Sequence, residues 1–163
     1  MNYNCCNLTL VFSLLLAIIT VSCNPVSEIG LRQKVNINNG WQYLEHNART
    51  VDEALTHSAW QEIDLPHTWN AKDATDLTPG YRRDGSWYRK EIKISKISAD
   101  EVYQLHFEGV NISSKVYVNG KNVGEHIGGY IGFNVDITKA LHEVKNEILV
   151  YVNNGYNPEV IPS

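Results

Sequence analysis

Three aromatic side chains set the chemical possibilities of this 163-residue chain. Trp69 and Tyr81 lie in a stretch at 67–86 rich in Asp, Thr, Pro and Gly, and Trp87 follows it directly. An indole or phenol face can stack on the polarised C–H bonds of a pyranose ring, but the same faces are also the largest apolar areas a core can bury. Trp87 and Tyr88 head an alternating segment and read as core, whereas for Trp69 and Tyr81 both readings stay open. Glu45, Glu62, Glu91 and Glu108 qualify for acid–base work by residue type only. Glu91, between Lys90 and Lys93, has the pattern of a solvated strand face. A site must be argued from geometry, so no catalytic residue is assigned. His67 and His126 have no third ligand at useful spacing, and Asp73, Asp76 and Asp84 match no EF-hand order, so no metal is expected. Phosphate-cradling glycine loops and a serine nucleophile elbow are absent, and no cofactor is expected.

The formal net charge is −4, and no basic cluster is denser than Arg82-Arg83 and Arg89-Lys90. A nucleic-acid partner is therefore not expected. Cys5, Cys6 and Cys23 are the only cysteines, so the remainder of the chain must hold together without disulfides. Leu8–Ile19 is an apolar run shorter than the roughly 20 residues of a membrane span. Thr20-Val-Ser-Cys23 follows it, a pattern of small residues before a cysteine. Residues 1–22 read as a lipoprotein-type signal peptide, with Cys23 the lipidation site and 23–34 a tether. A plain secretory signal cleaved near Ser22 is the alternative. The expected location is outside the cytoplasm of a Gram-negative bacterium, periplasmic or anchored to the outer membrane through lipid alone.

The domain at 35–163 reads as strands. Trp41-Gln-Tyr-Leu44 is a short entry strand, and 52–60 is long enough for a helical turn or two. Ile63-Asp-Leu-Pro66 meets a proline, as an edge strand does. A loop as long as 67–86 in a compact domain is more often functional than idle. Glu91–Ser95 alternates strictly, and Val102–Phe107 places Tyr103, Leu105 and Phe107 on one face. Asn119-Gly120 between two strands is a hairpin signal, because a type I′ turn needs positive φ at both residues. Phe133, Val135 and Ile137 alternate, Leu141 folds inward after a short turn, and Ile148, Val150 and Val152 share one side of the last strand. Strands at this spacing predict an all-β, antiparallel β-sandwich.

The words Asn39-Gly-Trp41, Ile63-Asp-Leu-Pro-His-Thr-Trp-Asn70, Gly85-Ser-Trp-Tyr-Arg-Lys90, Phe107-Glu-Gly-Val-Asn111, Val116-Tyr-Val-Asn-Gly120, Gly128-Gly-Tyr130 and Asn146-Glu-Ile-Leu-Val150 occur in that order. In this order they resemble the N-terminal sugar-binding domain of glycoside hydrolase family 2, the family of β-galactosidases, β-glucuronidases and β-mannosidases. The resemblance implies a jelly-roll, galactose-binding-domain-like sandwich. It also implies that the sandwich lacks its last strand and that the immunoglobulin-like and barrel domains lie outside this sequence.

Family-2 enzymes are retaining glycosidases, and the resemblance places their two glutamates, about 5–5.5 Å apart, on the barrel. The chain alone is then expected to be inactive, with its catalytic domains missing or separately encoded and a β-glycoside as the carbohydrate partner. Asn111 matches an asparagine that reaches toward substrate. Asn154 aligns with an acidic residue that does the same, and here the charge is gone. Asn111, Asn154, Trp69 and Tyr81 are thus the candidate substrate-binding residues, with a turn-shaping role the alternative for Asn111. The alternative to a hydrolase part is a free-standing surface carbohydrate-binding lipoprotein.

Overall fold

The computed structural model describes residues 32–46, 48–71, 75, 80–158 and 160. Two compact units are distinguished, Met1–Asn36 and Ile37–Ser163, and every element below belongs to the second. The signal segment, Cys23, Asp73 and Asp76 lie outside the described residues.

The elements are β1 (Trp41–Leu44), α1 (Val51–Thr56), β2 (Gln61–Ile63), β3 (Gly85–Ile94), β4 (Gln104–Phe107), β5 (Ser113–Val118), β6 (Lys121–Ile127), β7 (Phe133–Asp136), a 3₁₀ turn (Thr138–Ala140) and β8 (Val144–Asn153). One sheet runs β2-β1-β3-β8-β5-β6 and a second pairs β4 with β7. Every pairing is antiparallel, as the alternating pattern requires. β2 is an edge strand, which its proline-terminated sequence anticipates.

The inner core lies between the sheets. Tyr43, Tyr88, Val116, Val118, Ile148, Val150 and Val152 of the large sheet meet Leu105, Val135 and Ile137 of the small one and its flank, with Leu141 beneath. Period-two alternation places Gln104 and His106 outward on β4 and Leu105 inward. Asn119 and Gly120 take φ of 52° and 78°, so β5 and β6 form the tight hairpin that Asn-Gly encodes.

The large sheet also has a second apolar face. Leu44, Ala48, Ala54, Trp87 and Leu149 form a separate outer core, joined by Val51, Leu55 and Trp60. The cover is α1, whose start is fixed by Thr50: its Oγ1 accepts from Glu53 N at 3.2 Å, and Glu53 Oε2 accepts from Arg49 N at 2.8 Å. This reciprocal capping satisfies donors that a six-residue helix could not otherwise pair.

Val144, at the head of β8, has φ of 74° and is 66% exposed. A β-branched side chain is strained there and contributes little burial in return. Val144→Asn is expected to raise the unfolding free energy by about 1 kcal/mol in urea titration. An unchanged or lower midpoint would show that the turn does not hold this conformation in solution.

Candidate functional site

Strand ends and loops meet where β8 finishes and β5 begins. Ile112 N donates to Asn153 O at 3.0 Å, and Gly128 N donates to Ile112 O at 2.7 Å. These bonds bring the 108–112 and 128–132 loops beside the end of β8. The long loop before β3 closes the third side. Between them lies a cleft of about 410 Å³ lined by Thr68, Asn70, Tyr81, Arg83, Asn111, Ile112, Tyr130 and Asn154.

Three of the four residues singled out from sequence therefore meet, and each has a different surrounding. Asn111 is exposed, and its carboxamide makes no hydrogen bond among the described residues. Its position depends on Gly129: a Cβ there would stand 2.5 Å from Asn111 Oδ1. Tyr81 is 70% exposed at the rim. Asn154, by contrast, is buried and fully engaged. Its Oδ1 accepts from Asp84 N at 2.9 Å, and its Nδ2 donates to Arg82 O at 2.9 Å and to Asn70 Oδ1 at 3.1 Å. A neutral amide makes these contacts by donating and accepting at once, which a carboxylate cannot do. Asn154 thus pins the loop to β8, and its side chain has no remaining donor for a ligand.

Trp69 stands behind the wall rather than in the cleft. Its ring stacks on Tyr43 with centroids 6.2 Å apart, the Arg82 guanidinium carbon lies 5.3 Å from its centroid, and its Nε1 donates to Arg82 O at 3.3 Å. Both Trp87 and Tyr88 are buried. Arg89 contacts no carboxylate; its Nε donates to Gln42 Oε1 at 2.8 Å and its guanidinium lies 4.3 Å from the Trp60 centroid.

The Arg82-Arg83 pair divides. Arg82 turns inward to Ser86 Oγ at 2.8 Å and Gly85 O at 2.9 Å, while Arg83 lines the cleft. Beneath the loop, His67 Nδ1 bonds Tyr88 OH at 2.9 Å. Burial pushes the Tyr88 and Tyr43 phenols above their ordinary range and holds His67 below its own. All three favour their neutral forms, and Arg82, which donates to Tyr43 OH at 3.4 Å, is the cation beside them.

Thr68, Asn70, Arg83 and Tyr130 were not singled out from sequence as site residues. Tyr130 carried the available signal, an aromatic directly after Gly128-Gly129 in a polar loop. Among the described residues no Asp or Glu lines the cleft, and no group of three His, Cys, Asp or Glu could hold a metal ion. The described lining offers amide, phenol and guanidinium groups, which can donate and accept hydrogen bonds.

Gly129→Ala is expected to displace the Asn111 carboxamide while leaving the sheet intact. Amide shifts in an ¹⁵N spectrum should change at residues 109–112 and 128–131 and stay fixed along β3 and β8. Unmoved Asn111 signals would contradict the close packing.

The family described as glycosyl hydrolases family 2, sugar binding domain, matches residues 32–161. A protein of Formosa agariphila provisionally named a β-glucuronidase is 56% identical over 152 residues, covering 92% of this chain and 18% of that protein. A β-glucuronidase of Bacteroides fragilis is 35% identical over 132 residues, covering 80% of this chain and 18% of its own. Among solved structures, a Parabacteroides merdae β-glucuronidase superposes with a TM-score of 0.72 at 30% identity, over 80% of this chain and 20% of that one. The chain thus spans less than a fifth of these curated relatives. With its antiparallel sheets and its match across nearly the whole described domain, the chain belongs to the sugar-binding domain of glycosyl hydrolase family 2.

Proposed function

We propose that this domain supplies one wall of the substrate cleft of an exported retaining β-glycosidase that acts on β-glucuronides or β-galactosides. The observation that carries the reading is the unengaged Asn111 carboxamide, set in a cleft between exposed Tyr81 and Tyr130 with Arg83 beside it. An amide there can donate to one sugar hydroxyl and accept from the next, and the phenol rings offer faces to the sugar. The family resemblance supports placing the bond-breaking step on a separate catalytic domain. The names of the much longer relatives support the same division of labour.

Titrating the ¹⁵N-labelled chain with methyl β-glucuronide and methyl β-galactoside is expected to shift Asn111, Ile112 and Tyr130. Asn111→Ala should weaken binding about tenfold, the loss of one or two hydrogen bonds. The chain alone is expected not to turn over nitrophenyl β-glycosides. Turnover, or no shift at those residues with either sugar, would remove the proposal.

Export and anchoring through Cys23 belong to the same proposal, supported by the apolar run at Leu8–Ile19 and the small residues before the cysteine. Globomycin should cause the unprocessed form to accumulate, and the mature product should carry an acyl mass at Cys23. An unmodified soluble product would exclude the anchor.

A further inference from the structure

The outer face of the large sheet is only half covered. Val51, Ala54 and Leu55 of α1 pack with Leu44, Trp87 and Leu149, and beyond Trp87 the face opens into a groove of about 270 Å³. Its lining is Arg49, Trp87, Lys115, Tyr117 and Tyr151. This groove shares no lining residue with the Asn111 cleft.

Strand register builds the row. Trp87 lies opposite Tyr151 across β3 and β8, Tyr151 opposite Lys115 across β8 and β5, and Lys115 opposite Glu125 across β5 and β6. Residues directly opposite on antiparallel strands share a face, so the order along the row is aromatic, aromatic, cation, anion. Tyr117 stands two residues beyond Lys115 on the same face, and its ring lies 5.8 Å from that of Trp87. The Tyr151 ring lies 5.1 Å from that of Trp87. Trp87 is a buried floor, and the two partly exposed tyrosines form the walls.

Two cations arrive from separate elements. Arg49 comes from the β1–α1 connection, and its guanidinium has no hydrogen bond or ion pair among the described residues. Lys115 Nζ lies 3.6 Å from Glu125 Oε1, beyond hydrogen-bond reach, with both side chains about half exposed. Such a pair is weakly held and open to competition. Among the described residues no carboxylate lines the groove, although the whole chain is acidic. The volume lies just under the range of drug-sized ligand sites and suits one ring rather than an oligosaccharide.

We propose that this groove is a second carbohydrate site that takes one acidic sugar residue. The ring lies against Tyr117 and Tyr151, and the anionic group sits between Arg49 and Lys115. A carboxylate or a sulfate ester satisfies the same two cations, Arg49 by a planar fork and Lys115 as a point charge.

The test titrates the full ¹⁵N-labelled chain with three disaccharides: one ending in glucuronate, one carrying a sulfate ester, and a neutral counterpart. At least one acidic probe is expected to shift Lys115, Tyr117 and Tyr151, with the neutral probe at least tenfold weaker. The stronger of the two acidic probes identifies the anion. Arg49→Gln with Lys115→Gln should cost tenfold or more in affinity, and Lys139→Gln should change nothing. Glu125→Gln should tighten binding by a few-fold, because it removes the competing anion. A gain of this kind cannot come from misfolding. Equal affinity for neutral and acidic probes, unchanged affinity in the double variant, or silence at these residues with every probe would each overturn the second site. Shifts confined to Asn111, Ile112 and Tyr130 would also overturn it while leaving the cleft proposal standing. Silence at Asn111 with shifts at Lys115 would do the reverse.

Discussion

Trp87→Ala is expected to lower the unfolding free energy by about 4 kcal/mol. That is a large fraction of the roughly 5–15 kcal/mol that holds a domain of this size folded. Trp87 is 2% exposed and is the largest fully buried side chain. It joins the outer core to the sheet, touching Tyr117 and Tyr151 on one side and packing with Leu44, Ala54 and Leu149 on the other. Its Nε1 also donates to Ala48 O at 3.0 Å, so truncation leaves a cavity and an orphaned carbonyl together. Trp87→Phe should recover part of the loss by refilling volume without restoring the hydrogen bond. Urea titration measures both. A cost under about 1 kcal/mol for the alanine variant would mean that α1 and its layer contribute nothing to the fold.

Asn146→Ala is expected to cost about 3 kcal/mol, for a different reason. Asn146 is fully buried although it stands between charged Lys145 and Glu147. Its Oδ1 accepts from His142 N at 2.6 Å and from Asn119 Nδ2 at 2.8 Å, and its Nδ2 donates to His142 O at 2.7 Å. Asn119 continues the network, donating to Ala140 O at 2.8 Å and accepting from Glu147 N at 3.0 Å. The two asparagines therefore tie the hairpin turn to the segment that leads into β8. Removing one leaves the His142 backbone and the other asparagine without their shared partner. Asn146→Asp should be at least as damaging, because a carboxylate cannot donate to His142 O and brings a charge into the core. A double-mutant cycle with Asn119→Ala should show a coupling of about 1–2 kcal/mol. Additive losses would show that the two act separately.

These two residues mark where sequence reasoning reached and where it stopped. The β5–β6 hairpin was legible because Asn119-Gly120 has few other backbone uses. Leu105, Val135 and Leu141 were legible because a half-buried strand alternates and a short turn must end on something apolar. Leu149 was not. Ile148, Val150 and Val152 face the inner core as their spacing predicts, yet Leu149 is equally buried on the other side. A strand covered on both faces loses its alternation. The cover, α1, was visible only as room for a turn or two, although Thr50 and Glu53 already stood at capping-box spacing. Asn146 escaped for the opposite reason: between Lys145 and Glu147 it reads as part of a solvated polar run until its partners are known.

The candidate site divides in the same way. Tyr81 was singled out because it lies in a loop, where an aromatic side chain has no packing duty that must be met first, and Asn111 because it matches an asparagine of the family that the chain resembles. Trp69 and Asn154 have the right residue types, but their neighbours hold them: Tyr43 and Arg82 against the one, Asp84 and Asn70 against the other. Arg83 and Tyr130 entered the cleft only through tertiary contact between segments far apart in sequence.

The Asn119-Gly120 tip and the Asn111 loop stand at opposite ends of β5, a strand of six residues and so about 20 Å long. Every cysteine of the chain lies at or before position 23. A single thiol introduced at exposed Lys121, beside the tip, would therefore be unique in a product lacking the first 23 residues. Coupled to a dye or a solid support, it would leave the Asn111 end turned outward and unobstructed. The hairpin thus gives this domain a natural handle for oriented attachment in affinity sensing.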